Sequence, residues 1–441
     1  MVRPLHHSRM RSYACLGLAP LLFSFAAHAQ HNPSFAGARF AVQGDTGRAG
    51  LYSDGRTSAS IIDFGGMLFL NDFPSGRSGL VTTRAGDTMV FARAPGVAYN
   101  ASPKLKLSAT RPPSLRITEP DGSMRELRRL RLREEDVVIP AGDVSLGATL
   151  VMPEGVPRAT IVYVHGSGAA TRFAFLGWAR MLAAQGFAGI AFDKRGTGLS
   201  TGDYRTTDFD GLAADAKAVM KFVRGHRALA NVPVGLLGTS QGGWIIPKVA
   251  KGDSVAFLIF SSGGPVSAAE QEMFRRVNKV FAATKSAATA DTAREVVRAY
   301  FDYLISDGRR SADRTSALWA QLSARPWFAE LEVPAADPTT KEWPPARRLF
   351  AKDLGLDSAS FRAITAPSLV LAGDVDQLFE YKSLIASFES VLSPAAFAKH
   401  RSVIVRGGGH GGVVPTPSGE LERVAPGYFD ALIGWLQSTS R

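Results

Sequence analysis

The chain has 441 residues, 45% of them apolar and 20% charged, with a formal net charge of +12 and a single cysteine. That length suits one large domain with an accessory unit, and the composition is that of an ordinary globular protein in which disorder is not expected to dominate. The positive balance reads as a solvated basic surface, with attraction to an anionic cell surface or acidic substrates as the alternative: its densest run, "MRELRRLRLREED" (124 to 136), alternates, turns acidic and lacks the interleaved aromatics of a nucleic-acid patch, and is expected to be an exposed strand.

Residues 1–29 read as a secretory leader cut after Ala29. Arg3, Arg9 and Arg11 precede the apolar run "YACLGLAPLLFSFA", which closes on Ala27-His28-Ala29. The run is too short to span a bilayer, which takes about 20 apolar residues, and no later stretch qualifies, so no stable membrane insertion is expected. Cleavage removes three arginines and no acids, leaving +9, and also removes Cys15, the one cysteine. The mature protein is therefore expected to lack disulfides, zinc–thiolate sites and a cysteine nucleophile, and to be periplasmic or secreted.

Residues 30–129 are rich in Gly, Ser, Thr and Arg, with short strand-like pieces such as "MLFL" (67 to 70), "TMVFARA" (88 to 94) and "SLRIT" (114 to 118), and a tight-turn signal at "EPDG" (119 to 122). They predict a β-rich N-terminal module with no visible catalytic constellation; any partner of it is unknown. From Leu130 the pattern becomes strand, loop, helix, repeated. Eight strands are predicted, around 136–140, 145–153, 159–166, 186–193, 232–238, 255–262, 368–373 and 401–408, the first two close enough for a hairpin. Helix-like stretches at 173–185, 209–225 and 381–391 lie between them. Continuous apolar strands alternating with amphipathic helices predict a mostly parallel sheet with helices on both faces.

The alternation breaks over 265–363, which predicts a helical cap insertion between the two parts of the main domain, 130–264 and 364–441. Ser267 with Glu270 makes a capping box ahead of Met273, Val277 and Phe281, and Asp291 is expected to open a second helix through Val297, Phe301 and Leu304. Trp319, Trp327 and Trp343 are expected in the insertion's own core, a lid over an acyl pocket being the alternative.

In "VGLLGTSQGGW" (234 to 244) a strand runs into Gly238-Thr239-Ser240-Gln241-Gly242. Glycines on both sides of a serine remove the Cβ atoms that would collide in a strained strand-to-helix turn, so the hydroxyl of Ser240 can protrude above the sheet. A serine needs a base, usually histidine. His410, in "RGGGHGG", follows the last predicted strand and so shares the end of the sheet with Ser240, whereas His400 precedes that strand and His226 ends a helix; His165 is expected to be structural. The GxGxxG match at Gly407, Gly409 and Gly412 is not read as a dinucleotide site, because "VVPTPSG" cannot open the required helix. A carboxylate must orient the histidine, and Asp374 and Asp376 both follow a core strand between serine and histidine. The oxyanion donors are expected to be the backbone N–H of Gln241 and that of Ser167, with Gly166 as the alternative, in "VHGSGAATR" (164 to 172).

With "HGSG", "FDKRGTGLSTGD" (192 to 203) and "GTSQGGW" in order, residues 130–441 resemble the α/β-hydrolase superfamily, particularly bacterial exported serine esterases and serine aminopeptidase-like hydrolases. The resemblance implies an α/β-hydrolase fold with an eight-stranded sheet. In that family the acid follows a GxxD pattern, here Gly373 to Asp376, which favours Asp376; Asp193 and Arg195 match a loop that is usually scaffolding. The elbow carries Thr239 where relatives commonly carry His, and a serine nucleophile argues against the dehalogenase and epoxide hydrolase branches. The expected protein is an exported hydrolase of small-molecule carboxylic esters, with Ser240, His410 and Asp376 as triad, no cofactor, no metal and no nucleic-acid partner. A peptidase or thioesterase of the same fold is the nearest alternative, and a catalytically silent binding protein the more distant one.

Overall fold

The computed structural model describes residues 47–440, apart from 65–66, 86–87, 95–96, 100–101, 109–111, 341–344 and 417–420. The leader expected over 1–29, and Trp343, lie outside these residues. The N-terminal module is built from β1 (Gly50–Ser53), β2 (Ser58–Phe64), β3 (Met67–Asp72), β4 (Arg77–Ala85), β5 (Thr88–Ala94), β6 (Val97–Ala98), β7 (Lys104–Ser108), β8 (Ser114–Thr118) and β9 (Met124–Arg129). All pair antiparallel with their neighbours, and β9 returns to β1, so eight strands close into a barrel with β6 appended to β5. Among the described residues, closure leaves no open edge in the eight-stranded ring itself. An eight-stranded barrel is just wide enough for side chains to fill, and Tyr52, Ile61, Leu70, Phe91, Leu105, Leu115, Ile117 and Leu127 fill this one.

The basic run at 124–136 is not one exposed strand. It divides at the junction of two sheets, with β9 closing the barrel and β10 (Arg133–Ala141) opening the next sheet. Leu127 is buried in the barrel, while the Arg125 guanidinium donates to both carboxylate oxygens of Asp72, at 3.0 and 2.8 Å.

The second sheet adds β11 (Val144–Met152), β12 (Thr160–Val164), β13 (Ala188–Phe192), β14 (Val234–Thr239), β15 (Leu258–Ser261), β16 (Ser368–Gly373) and β17 (His400–Val405). Its order is β10-β11-β13-β12-β14-β15-β16-β17; β10 and β11 form an antiparallel hairpin, β11 is antiparallel to β13, and the remaining pairs are parallel. The helices are α1 (Phe173–Ala184), α2 (Phe209–Gly225), α3 (Gly242–Ala250), α4 (Ala268–Thr284), α5 (Ala287–Ile305), α6 (Ala312–Leu322), α7 (Pro345–Asp353), α8 (Ser358–Arg362), α9 (Tyr381–Val391), α10 (Pro394–Phe397) and α11 (Tyr428–Thr439). Successive strand residues face opposite ways. Leu236 packs with α2, α3 and α9 through Val219, Ile246 and Phe388, whereas Leu237 packs with α1 and α11 through Leu182 and Leu432. The sheet is thus covered on both faces, as an α/β-hydrolase fold requires.

Helices α4 to α8 form the insertion between β15 and β16. The capping box at its start is present, with the Ser267 hydroxyl accepting from the Glu270 N–H and the Glu270 carboxylate accepting from the Ser267 N–H. Helix α5 starts four residues before Asp291, because the Ser286 hydroxyl accepts from the Thr289 N–H and caps it there. Trp319 is buried between Tyr300 and Phe328, with Trp327 against the same cluster, so these tryptophans serve the insertion's own core.

The barrel docks on two parts of the unit built on the second sheet. Ile62 of β2 joins the apolar layer under α1, and buried Arg180 of α1 donates to both oxygens of Glu134 at 2.8 Å and to the Ile61 carbonyl at 2.7 Å. On the other side, the N–H of Ser78 donates to the Glu422 carbonyl and that of Val424 to the Gly76 carbonyl, at 3.3 and 2.8 Å. Among the described residues no helix is long and apolar enough to cross a membrane.

Candidate active site

Between the end of β14 at Thr239 and the start of α3 at Gly242 only Ser240 and Gln241 remain to reverse the chain. Ser240 takes the left-handed conformation, φ +53°, which costs a non-glycine residue on the order of 1 kcal/mol. Its N–H donates to the Ser261 carbonyl at 2.9 Å, fixing the turn to the neighbouring strand end. The surrounding glycines are required by contact: a Cβ on Gly238 would stand 2.4 Å from the Gly242 carbonyl oxygen, one on Gly242 2.5 Å from the Val164 carbonyl oxygen, and one on Gly243 2.8 Å from the Gly263 Cα. Strand, elbow and the loop after β12 therefore pack backbone to backbone, and Ser240 stays partly exposed while its neighbours are buried.

The same device joins the other two predicted groups. A Cβ on Gly373, at the end of β16, would stand 2.1 and 2.4 Å from the carbonyl oxygens of Gly408 and Gly409. The loops after β16 and β17 are thus in backbone contact, which brings Asp376 Oδ2 to 3.0 Å from His410 Nδ1. The other carboxylate oxygen of Asp376 accepts from the N–H groups of Leu378 and Phe379, at 2.8 and 3.1 Å. Asp374 is used differently: its carboxylate accepts from the Gly407 N–H at 2.7 Å and from Arg406. The Phe379 ring lies parallel to the imidazole of His410 at 5.9 Å, and the Gly411 N–H donates to the Ser262 hydroxyl at 2.8 Å. Both contacts limit where the ring can turn.

The other described histidines lie elsewhere. His400 begins β17, at the opposite end of the sheet, stacked on Phe388 and pushed down to about 4 by burial. His226 pairs with Glu135 at 3.1 Å beyond the end of α2. His165 is buried against Phe192 and Phe175 beneath the loop that carries Ser167.

Gln241 and Ser167 are both buried at the carboxyl ends of their strands. Between them lies Lys194, which the sequence reading did not single out. Its ammonium donates to the Gly166 carbonyl at 2.9 Å and to the Gln241 side-chain oxygen at 2.7 Å, and burial pushes it down to about 7. The signal was present in "AFDKRG": three charges directly after an all-apolar strand, at the end of the sheet where ligands bind. The flanking charges are scaffolding. Buried Asp193 accepts from the N–H groups of Arg172 and Leu199 and pairs with the Arg172 guanidinium, while Arg195 holds Asp215 through two bonds at 2.7 and 2.6 Å. Among the described residues no three His, Cys, Asp or Glu side chains converge as metal ligands would.

Residues 155–410, more than half of the chain, match the family model described as serine aminopeptidase, S33. Solved structures with a similar fold include an esterase from Pyrococcus furiosus (17% identity, TM-score 0.44, covering 70% of this chain and 90% of that one). A hypothetical protein from Pseudomonas aeruginosa matches at 17% and 0.44, over 70% and 94% of the two chains. A proline iminopeptidase from Mycobacterium smegmatis matches at 17% and 0.43, over 69% and 99%. A search among curated proteins found no significant match.

Proposed function

We propose that this chain, which belongs to the serine aminopeptidase S33 family of hydrolases, is an exported serine hydrolase that cleaves carboxylic esters through an acyl-enzyme intermediate. The observation that carries the reading is the Asp376–His410 pair at 3.0 Å, formed at the same end of the sheet as the strained Ser240 turn. In this reading His410 takes the proton of Ser240 as the hydroxyl attacks the carbonyl carbon, and returns it to the leaving alkoxide. Asp376 holds Nδ1–H, so that Nε2 is the basic nitrogen, and stabilises the imidazolium that forms. Water then attacks the acyl-enzyme with His410 again as base, and the N–H groups of Gln241 and Ser167 stabilise both tetrahedral intermediates. Gln241 stands at the N-terminus of α3, where the helix dipole favours the developing negative charge.

The family description also admits peptide substrates, and the insertion bears on the choice. An aminopeptidase must hold a free amine with an available carboxylate. In the insertion, buried Glu272 is held by Arg275 and Arg276, and Glu332 by Arg275 and Lys279. These two acids are engaged within the insertion and are not free to receive a substrate amine, whereas Asp353 of the same insertion has no cation among the described residues in contact with its carboxylate.

The test is hydrolysis of p-nitrophenyl butyrate and of alanine p-nitroanilide by the parent and by Ser240→Ala. Ester turnover that falls by several orders of magnitude in the variant is the expected result. Turnover of the anilide alone would replace ester with amide as the substrate, and activity that survives Ser240→Ala would remove the triad. Recovery of the chain starting at Gln30 from the periplasm or medium tests export.

A further inference from the structure

The loop that presents Ser167 has a glycine on each side of it, Gly166 and Gly168, and Gly168 sits at φ +78° with open space where a Cβ would be. Glycines on both sides widen the conformations open to that peptide unit, and an oxyanion hole works only if its donors are aimed before the reaction starts. We propose that Lys194 is the positioning residue of the oxyanion hole: by holding the Gly166 carbonyl inward it aims the Ser167 N–H at the acyl oxygen. The inference rests on the hydrolase reading above.

The link is the geometry of one peptide unit. The Gly166 carbonyl and the Ser167 N–H belong to the same planar trans group, so they point in opposite directions. With the carbonyl fixed 2.9 Å from the Lys194 nitrogen, inside the protein, the N–H faces the other way. The same nitrogen lies 2.7 Å from the side-chain oxygen of Gln241, whose own N–H is the other expected donor. Both halves of the hole are therefore tethered to one atom. The third direction of the ammonium is occupied by the ring of Tyr204, at 5.2 Å from its centroid.

A buried ammonium is a costly way to fill space. Burial outweighs the favourable charge of Asp215 and pushes Lys194 down to about 7, whereas Met or Leu would fill the position without that penalty. The cost is understandable if the donors are needed, since a misplaced amide forfeits part of the factor of about 100 to 1000 that one oxyanion donor supplies.

The test has a structural and a kinetic arm. In crystals of the full chain phosphonylated at Ser240 by a fluorophosphonate, the phosphonyl oxygen that stands for the oxyanion should lie within hydrogen-bond distance of the Ser167 and Gln241 nitrogens. Lys194 should remain on the Gly166 carbonyl. An oxygen bound by the Gly166 N–H, or a Lys194 moved away from Gly166, would overturn the assignment. Kinetically, folded Lys194→Met should acylate with p-nitrophenyl butyrate about 100-fold more slowly in single turnover while its apparent substrate affinity stays within about threefold. An unchanged acylation rate would overturn the role, as would a loss confined to affinity. Should that variant fail to fold, the phosphonylated parent decides alone. Failure of the reagent to label Ser240 at all sinks the hydrolase reading itself, a different outcome from labelling with the wrong oxyanion contacts.

Discussion

Gly76 of the barrel and Val424 of the segment that follows His410 lie back to back: the Val424 N–H donates to the Gly76 carbonyl at 2.8 Å, and a Cβ on Gly76 would stand 2.2 Å from the Val424 carbonyl oxygen. The same segment returns to the histidine turn, where the Ala425 N–H donates to the Gly412 carbonyl at 2.7 Å. The barrel is thereby built into the support of His410. Gly76→Val places a β-branched residue at φ +68° against backbone, a strain of at least about 2 kcal/mol. We expect ester turnover to fall about tenfold and trypsin to cut at Arg423 more readily than in the parent. Unchanged turnover together with an unchanged digestion pattern would show that the barrel does not support the site.

The two aspartates after β16 make a second contrast. Asp376 accepts from His410, whereas Asp374 accepts from the Gly407 N–H. Asp376→Asn should lower kcat by about 10⁴, because an amide NH₂ facing Nδ1 favours the wrong tautomer. Asp374→Asn should leave kcat within about threefold. Comparable losses in the two variants, measured on p-nitrophenyl butyrate, would mean that the acid has been assigned to the wrong residue.

Glycine substitutions separate the elbow from ordinary helix surface. Ala at Gly238 or Gly243 puts a methyl group 2.4 Å or 2.8 Å from backbone that cannot swing aside. Each should cost several kcal/mol and be read as a large drop in the urea midpoint. Gly434, exposed within α11 with nothing near its missing Cβ, should instead gain about 0.5 to 1 kcal/mol on change to Ala. A Gly243→Ala midpoint equal to that of the parent would refute the close-packing account.

Much of this arrangement is legible in the sequence because it is local. The glycines around Ser240, the all-apolar strand before it and the capping box at Ser267 each declare themselves within about ten residues. Barrel closure does not: β9 finds β1 across about 70 residues, and β9 carries only one deeply buried residue, Leu127, among charges. Lys194 was hidden for another reason. Asp193 and Arg195 read as loop scaffolding and the charges after an apolar strand mark the place, but only the tertiary fold shows that the lysine between them turns inward onto Gly166 and Gln241. The start of α5 went to Ser286 rather than Asp291 because a serine cap competes on equal terms with aspartate and the apolar spacing fits both.

Asp353 predicts a pH dependence of stability. It ends α7 of the insertion, and its carboxylate accepts from the Phe209 N–H in the first turn of α2 at 2.9 Å. Burial nonetheless pushes the group up to about 7, with the negative charge of Asp208 adding to the shift and Lys248 and Lys352 opposing it. A folded value above the ordinary 3.8 means that the native state keeps a proton the unfolded chain has already released. The resulting stabilisation is complete below about pH 4 and is lost as the pH rises through 7. Asn at this position cannot titrate, so Asp353→Asn should gain on the parent between pH 4.5 and pH 8, by at most about 2 to 4 kcal/mol in urea titrations. Parallel pH profiles in the two proteins would remove the prediction. The location gives the effect a reach beyond stability: Phe209 stacks on Trp244 of α3 at 5.6 Å, and Trp244 packs on Phe379, the ring that lies over His410. The joint at which the insertion meets α2 is therefore expected to loosen with rising pH, two aromatic contacts away from the ring over His410, and any loss of turnover from this cause should be weaker in the Asn variant.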